Sequence, residues 1–264
     1  YNVNATMARG NEWNNSPANV TLQNNSILNY PNNWGTFTRT ITGNLTINSG
    51  SALYMDYGSP VSGVGTLTVG GNVVLAGNLS LGNKNGGDLV VGGNWTNTGT
   101  AGNFNPNSRS VTFNASSGTQ IITNTLGETF AYLIHNGTGL LQFANNVTVN
   151  ASTGDVFQLL AGTIDLNGKS LTLSGTGGNV KISGAQILNS SVAGALFNIT
   201  GGVSDLKTVT GGTLTIPANV TTVLNSGIDF GAGLTTINGT LRIAVGGSVK
   251  NNPPTYGAAS VLEY

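Results

Sequence analysis

A short apolar unit decides the fold, because it recurs at a fixed step as Asn44-Leu45-Thr46-Ile47, Thr66-Leu67-Thr68-Val69, Asp88-Leu89-Val90-Val91, Ser110-Val111-Thr112-Phe113 and Tyr132-Leu133-Ile134-His135. The five units begin at positions 44, 66, 88, 110 and 132, so the step between them is constant. A second series keeps the same step, since Gly70-Gly71-Asn72-Val73 returns as Gly92-Gly93-Asn94-Trp95. Two series that share one period indicate a repeat architecture.

Each period holds several short strands. Leu67, Val73 and Leu79 lie six residues apart, and each is flanked by Gly or Asn. Gly and Asn tolerate the positive φ angles of tight bends, so strands of about four residues joined by bends are predicted. Alternation of period two and frequent Gly argue against helix. The predicted class is all-β.

The repeat predicts a parallel β-helix, or β-solenoid, that extends over residues 1–264 as a single domain. One coil of a solenoid buries its apolar side chains only when a neighbouring coil covers it. Dividing 264 by 22 predicts about 12 coils of roughly 22 residues. After about residue 150 the spacing becomes uneven, which indicates loop insertions. The common step predicts one inward column, formed by Leu45, Leu67, Leu89, Val111 and Leu133.

Charge is scarce, which limits the classes of partner. The chain has 9 Lys+Arg and 9 Asp+Glu, or 7% charged residues, whereas soluble proteins have about 25%. The basic residues are scattered singly, so we expect no nucleic-acid partner. No apolar run approaches the roughly 18 residues of a membrane span, and the first residues lack signal-peptide character, which favours a mature or excised segment. Cysteine is absent, which removes thiol chemistry and leaves the redox compartment undecided.

Few residues offer catalytic chemistry. His135 is the single histidine, and the alternation of its strand is interpreted as placing it outward. Carboxylates could form acid/base pairs, and the candidates are Asp205 with Asp229, one above the other on adjacent coils, and Asp155 with Asp165, which would face each other across a coil. Single charges on outward strand positions explain them as well. We therefore expect no enzyme activity, no catalytic residue and no cofactor.

Metal binding and glycosylation are weakly indicated. Gly86-Gly87-Asp88-Leu89 is faintly like a calcium repeat but does not recur, so a Gly-rich bend is favoured and no metal is expected. The pattern Asn-x-Ser/Thr is frequent and would permit glycosylation at Asn44, Asn78, Asn94, Asn146, Asn198, Asn219 and Asn238. An Asn that begins a strand also hydrogen-bonds its own turn, and this structural interpretation is favoured.

Large aromatic residues concentrate in the first 95 residues. Trp13, Trp34, Tyr54 and Tyr57 are candidates for contact with sugars or a partner, because aromatic faces stack on sugar rings and anchor partners. Trp95 replaces Val73 in the repeat and is a candidate to fill the interior instead.

Several strings resemble a known family: residues 163–173 (Thr-Ile-Asp-Leu-Asn-Gly-Lys-Ser-Leu-Thr-Leu), residues 110–114 and residues 145–150. They look like repeats of large secreted surface proteins of Bacteroidetes bacteria. The resemblance implies right-handed β-helices exported by the type nine secretion system. Residues 254–264 resemble the first half of a family motif, and residues 9–13 resemble its second half. The resemblance thus implies a segment of a longer solenoid, or a unit that stacks on copies of itself.

These observations predict a structural or adhesive rod at the extracellular cell surface, which spaces or presents binding elements and has surface glycans as a possible partner. A filament subunit is the second hypothesis, because apolar residues near both ends would be covered by another copy or by the next repeat. The expected end contacts are Val3, Trp13, Tyr256, Leu262 and Tyr264. A β-helix polysaccharide-binding or polysaccharide-degrading protein is the third, and it would need a conspicuous charged cleft for catalysis.

Overall fold

A computed structural model describes residues 5–6, 16–31, 38–57, 65–201 and 206–264. Every helix or strand in these ranges is a strand: β1 (Ala5–Thr6), β2 (Val20–Leu22), β3 (Ile27–Pro31), β4 (Arg39–Ile41), β5 (Leu45–Ile47), β6 (Ala52–Tyr57), β7 (Leu67–Val69), β8 (Val73–Leu75), β9 (Asn78–Ser80), β10 (Leu89–Val91), β11 (Trp95–Asn97), β12 (Phe104–Asn105), β13 (Ser110–Phe113), β14 (Thr119–Asn124), β15 (Glu128–Phe130), β16 (Tyr132–His135), β17 (Leu140–Phe143), β18 (Val147–Val149), β19 (Asp155–Leu159), β20 (Thr163–Asp165), β21 (Ser170–Leu173), β22 (Asn179–Asn189), β23 (Ala195–Ile199), β24 (Leu206–Ile216), β25 (Val220–Leu224), β26 (Gly227–Asp229), β27 (Thr235–Ile237), β28 (Thr240–Ile243), β29 (Ser248–Val249), β30 (Thr255–Tyr256) and β31 (Val261–Glu263).

The chain divides into two compact units. The first comprises residues 1–113 and 123–126, and the second comprises residues 114–122 and 127–264. A single domain over residues 1–264 stays a prediction.

The first unit is built from three parallel ladders, one for each strand position in a turn. The first ladder is β4-β7-β10-β13, the second is β2-β5-β8-β11 and the third is β1-β3-β6-β9-β12. Strands that are adjacent in a ladder are one turn apart in sequence. This pairing is that of a parallel β-solenoid, and it confirms the predicted class.

The second unit repeats the same plan. Its first ladder contains β16, β19, β26, β29 and the first parts of β22 and β24. Its second contains β17, β20, β27, β30, the remainder of β22 and β24, and the part of β14 that pairs with β17. Its third ladder has seven strands in the order β15-β18-β21-β23-β25-β28-β31.

The number of turns is smaller than predicted. Three complete three-strand turns lie within the first unit and six within the second, so the structure has about nine turns instead of about 12. Some turns are longer than the repeat in the sequence, as the pairing of Val180 with Val209 shows. Insertions of this kind take up chain length without adding a turn.

The predicted inward column is correct in part. Leu67, Leu89 and Val111 are neighbours in the first ladder, and all three are fully buried. Leu133 is also buried and lies opposite Phe157 in the second unit.

Leu45 was placed in the wrong ladder. Leu67 lies opposite Arg39 and not opposite Leu45. The reason is that the turn from Arg39 to Leu67 is longer than the sequence repeat. Leu45 belongs to the second ladder, between Val20 and Val73. Trp95 continues that ladder opposite Val73, as the second repeat series predicted.

An asparagine ladder joins successive turns at the bend between the first and second ladders of the first unit. The Oδ1 atoms of Asn19, Asn44 and Asn72 accept hydrogen bonds from the backbone N–H groups of Asn44, Asn72 and Asn94, at 2.8, 2.8 and 2.7 Å. Each side chain therefore bonds the next turn, whereas the sequence interpretation expected its own turn. Each of these three backbone N–H groups therefore has an acceptor in the preceding turn.

Glycine precedes asparagine at this bend for a steric reason. A Cβ atom on Gly93 would collide with Oδ1 of Asn72, and one on Gly71 would collide with Oδ1 of Asn44. In each Gly-Asn pair, the Asn side chain therefore hydrogen-bonds the following turn, and the Gly leaves room for the Asn side chain of the preceding turn.

Leu89→Asp is expected to lower the free energy of unfolding by at least about 3 kcal/mol, because the carboxylate would be buried without a partner between Leu67 and Val111. Val90→Asp is the matched control, since Val90 is only partly buried; its cost should stay below about 1 kcal/mol. Thermal melts followed by circular dichroism measure both. Equal melting temperatures for the two variants would contradict the assigned core column.

Asn72→Ala is expected to destabilise the chain by about 1 to 2 kcal/mol, because the N–H of Asn94 loses its acceptor. Asn48→Ala serves as the control, since Asn48 is exposed at the end of β5, and its cost should stay within about 0.5 kcal/mol. Chemical denaturation gives both values. The two variants should differ; if they do not, the asparagine ladder does not stabilise the fold.

Candidate functional site

His135 lies inside the second unit, so the outward placement was wrong. In β16 the exposure alternates, and the same alternation that buries Leu133 also buries His135 completely. Nε2 of His135 lies 3.1 Å from the carbonyl oxygen of Gly139. The side chain is fully enclosed and anchors the bend that follows its own strand.

Asp165 is buried at the end of β20, where it connects three turns. Its Oδ1 accepts hydrogen bonds from the N–H groups of Asn167 and Ser191 at 2.8 and 2.7 Å. Its Oδ2 accepts from Oγ of Ser191 at 2.7 Å and from Nε2 of Gln142 at 2.9 Å. Burial alone would raise the pKa of Asp165, but these four hydrogen bonds outweigh it and hold the pKa below its ordinary value of 3.8.

Asp229 has a similar environment at the end of β26. It accepts hydrogen bonds from the N–H of Gly231 at 2.9 Å and from the side-chain amides of Asn251 and Asn252 in the following turn. Burial would raise the pKa of Asp229, yet the bonds from Gly231, Asn252 and Asn251 lower it below 3.8. A carboxylate held ionised in this way is a poor proton donor near neutral pH.

Asp155 and Asp165 share no hydrogen-bond or ion-pair partner among the described residues. Asp155 forms an ion pair with Lys181 at 3.3 Å and accepts from Asn179, whereas Asp165 has the other partners given above. Asp205 lies outside the described residues, so its pairing with Asp229 stays a prediction.

Carboxylates in both units connect neighbouring turns. Oδ1 of Asp88 accepts from the N–H and Oγ of Ser110 in the next turn, which agrees with a structural bend at Gly86 and Gly87. Glu263 pairs with Arg242 of the preceding turn. With Asp155, Asp165 and Asp229 they form a set that we call the carboxylate staples.

Lys207 was missed by the sequence analysis. Its side chain is completely buried, and Nζ donates to the carbonyl oxygens of Gly175 and Thr200, the latter at 3.0 Å. Both acceptors lie in bends of earlier turns, so this cation also connects turns. The signal in the sequence was the two-residue spacing of a strand, since Lys207 is two positions before Val209 and both occupy inward positions of β24.

The aromatic candidates separate into different environments. Trp95 is fully buried, and its ring packs edge-on against Phe104 at a centroid distance of 4.9 Å, so it fills the interior. Tyr54 is partly buried in β6. Trp13, Trp34 and the side chain of Tyr57 lie outside the described residues, and the aromatic contact surface stays a prediction.

The C-terminal turn exposes several large apolar side chains. Tyr256 and Leu262 are 43% and 44% exposed, Val261 is 48% exposed and Tyr264 is 94% exposed. Partial burial and the proximity of Tyr264 raise the pKa of Tyr256, so it stays a neutral phenol at neutral pH. Of the expected end contacts, Val3 and Trp13 lie outside the described residues.

Two further features concern metal ions and membranes. No group of three or more His, Cys, Asp or Glu side chains suited to a metal ion occurs in the described residues. Among the same residues, no helix is long and apolar enough to cross a membrane.

Two of the Asn-x-Ser/Thr asparagines, Asn44 and Asn146, use Oδ1 to bind the next turn, which supports a structural role at these positions.

Comparison with protein-family models finds no match. Searches of curated proteins and of solved structures also find no match.

Asp165→Asn should destabilise the chain at pH 7, because the amide cannot accept all four hydrogen bonds and presents N–H groups to the donors of Ser191 and Gln142. The expected cost is about 2 to 3 kcal/mol. Because the folded-state pKa is lowered, the stabilisation by wild-type Asp165 is complete above its unfolded pKa, near 3.8, and is lost as the pH falls through the folded value.

Unfolding curves at pH 7, 5 and 3 test this expectation. The difference between wild type and Asp165→Asn should be similar at pH 7 and 5 and smaller at pH 3. Glu263→Gln is the control, since its pair with Arg242 is largely exposed and should contribute little at any pH. A constant difference down to pH 3 would contradict the role assigned to Asp165.

Proposed function

We propose that the chain is a structural segment of an extracellular cell-surface protein, which spaces or presents binding elements away from the cell. The function rests on geometry and not on a chemical site. The observation that carries the proposal is the seven-stranded third ladder of the second unit, in which each turn adds one strand in parallel register. Parallel strands lie about 4.8 Å apart, so its six steps extend roughly 29 Å.

The interior of the unit supports a stiff spacer. Leu171, Phe197 and Leu241 belong to the third ladder, and each is fully buried. Interiors packed in this way resist compression and bending because the side chains interdigitate at high density. Backbone hydrogen bonds between turns add a second, regular set of contacts.

The use of charge supports the same function. The carboxylate staples and Lys207 bind groups in neighbouring turns, so these charges stabilise the stack. A catalytic acid would instead keep a proton available near neutral pH. The extracellular location rests on the family resemblance, which stays a prediction.

Distance measurement in the second unit tests the spacer function. The chain has no cysteine, so spin labels can be placed at Thr129→Cys and Arg242→Cys alone. These positions are five steps apart in the third ladder, or about 24 Å. Double electron–electron resonance should give a narrow distribution of spin-label distances near this value. Deleting residues 171–196, one turn between Leu171 and its register partner Phe197, should shorten it by about 5 Å.

A deletion of residues 171–182 is the matched control. It removes about half a turn and shifts the following strands to the wrong ladders, so this variant should not fold. A broad distance distribution in the intact chain, or no shortening after removal of the full turn, would refute the spacer. Protease treatment of intact cells that make the protein tests the location, and resistance to cleavage would contradict surface exposure.

A further inference from the structure

The bend between β9 and β10 of the first unit contains an Asn-Gly pair, Asn85-Gly86, beside Arg109 of the following turn. We propose that this pair is a self-modification site, at which the side-chain amide of Asn85 converts to a carboxylate without an enzyme and then forms an ion pair with Arg109. This inference goes beyond the spacer function, which requires no covalent change.

The reaction is a deamidation, and water is its co-reactant. The backbone nitrogen of Gly86 attacks Cγ of Asn85 and loses its proton, while the side-chain amide takes up a proton and leaves as ammonia. The product is a five-membered succinimide. Water then breaks the new N–Cγ bond to give aspartate, or the original peptide C–N bond to give isoaspartate. Glycine favours the attack because it has no Cβ atom to hinder it.

The structure distinguishes four Asn-Gly pairs that are chemically alike. Asn167 is held at both reacting groups, since its Nδ2 donates to the carbonyl oxygen of Phe143 at 3.2 Å and the N–H of Gly168 donates to Oγ of Ser190 at 3.0 Å. Both the leaving group and the nucleophile are therefore occupied. The four pairs are Asn85-Gly86, Asn136-Gly137, Asn167-Gly168 and Asn238-Gly239.

Asn136 and Asn238 are followed by buried glycines that pack against the preceding turn. A Cβ atom on Gly137 would lie 2.2 Å from the carbonyl oxygen of Ala115, and one on Gly239 would lie 2.3 Å from that of Val220. Movement of either glycine toward the Asn side chain is limited by this backbone. These two pairs should therefore react slowly in the folded chain.

Asn85 lies in a more open bend. Its side chain is exposed, and Gly86 is only partly buried. The bend is closed by backbone hydrogen bonds from Gly87 to Lys84 at 3.3 Å and from Gly82 to Gly87 at 3.1 Å. Within the part of the chain that the structure describes, the N–H of Gly86 donates no hydrogen bond, so its nitrogen is available for the attack.

Arg109 assists the reaction electrostatically. Its Nη1 donates to Oδ1 of Asn85 at 3.3 Å, and its Nε donates to the carbonyl oxygen of Asn107 at 3.5 Å. Among the residues that the structure describes, Arg109 has no carboxylate partner. The guanidinium group stabilises the negative charge that develops on Oδ1 during the attack by Gly86. It stabilises the carboxylate product for the same reason.

The modification would add an ion pair between turns to the first unit. The second unit already has two such pairs, Asp155 with Lys181 and Glu263 with Arg242. The formal net charge of the chain would change from zero to minus one, because one neutral amide becomes a carboxylate. The new pair is exposed, so its stabilising effect should be small and should weaken with salt.

Peptide mapping by mass spectrometry tests the site with the full chain. The folded protein is incubated at pH 8, and the conversion of each Asn-Gly pair is followed over time. Asn85 should react at least about tenfold faster than Asn136, Asn167 and Asn238, because a nucleophile held away from its attack geometry loses at least this factor. In urea the chain is unfolded, and the advantage of Asn85 should disappear. Asn85→Gln should remove the acidic species that ion-exchange chromatography resolves.

Variants of Arg109 test its role. Arg109→Gln should slow the conversion of Asn85 by about twofold to fivefold, the range that corresponds to one exposed charge interaction. Arg109→Lys keeps the charge and should restore most of the rate, whereas a purely structural role would not be restored by charge alone.

A double-mutant cycle tests the product. Asn85→Asp imitates the modified chain, and at low salt it should raise the midpoint of thermal unfolding above that of the wild type. The same substitution in the Arg109→Gln background should give no increase, because the partner of the carboxylate is absent.

Three results would overturn the proposal. Equal conversion of the four pairs in the folded chain, or faster conversion of any pair other than Asn85-Gly86, would exclude the site. An unchanged rate in Arg109→Gln would exclude assistance by the guanidinium group. A cycle without coupling between positions 85 and 109 would exclude the ion pair between turns.

Discussion

The parallel pairing of each strand with its counterpart one turn away is the constraint on which the structure depends. A three-residue strand has few backbone hydrogen bonds and one buried face, so it is stable only between neighbours. Within each unit, three ladders supply these neighbours at once. Leu89 shows the result, since it is fully buried although its strand extends only from Leu89 to Val91.

Polar side chains are used to join turns at the bends, where the apolar columns cannot. The Asn ladder serves one bend in the first unit, and Asp165, Asp229 and Lys207 serve bends in the second. Such groups need partners at fixed distances, and the regular spacing between turns provides them. Because each of these charged side chains has hydrogen-bond partners in a neighbouring turn, a chain with only 7% charged residues can bury some of them.

The sequence predicted the class of fold and several contacts, and it failed where turn length changes. The regular step correctly paired Leu67 with Leu89 and Val73 with Trp95. It misplaced Leu45, because the turn that ends at Leu67 is longer than the repeat and begins at Arg39. His135 was wrongly placed outside, although the alternation that buried Leu133 required it to be inside.

The C-terminal apolar residues also show what the sequence predicts and what only the structure reveals. Sequence alone marked Tyr256 and Leu262 as apolar residues near the chain end, but their positions over buried columns became evident only from the strand register. By itself the sequence determined strand type, alternation and the presence of a repeat, because these depend on local backbone preference and on short spacing. The tertiary structure decided which ladder each strand joins and which polar groups meet, because both depend on the length of chain between contacts.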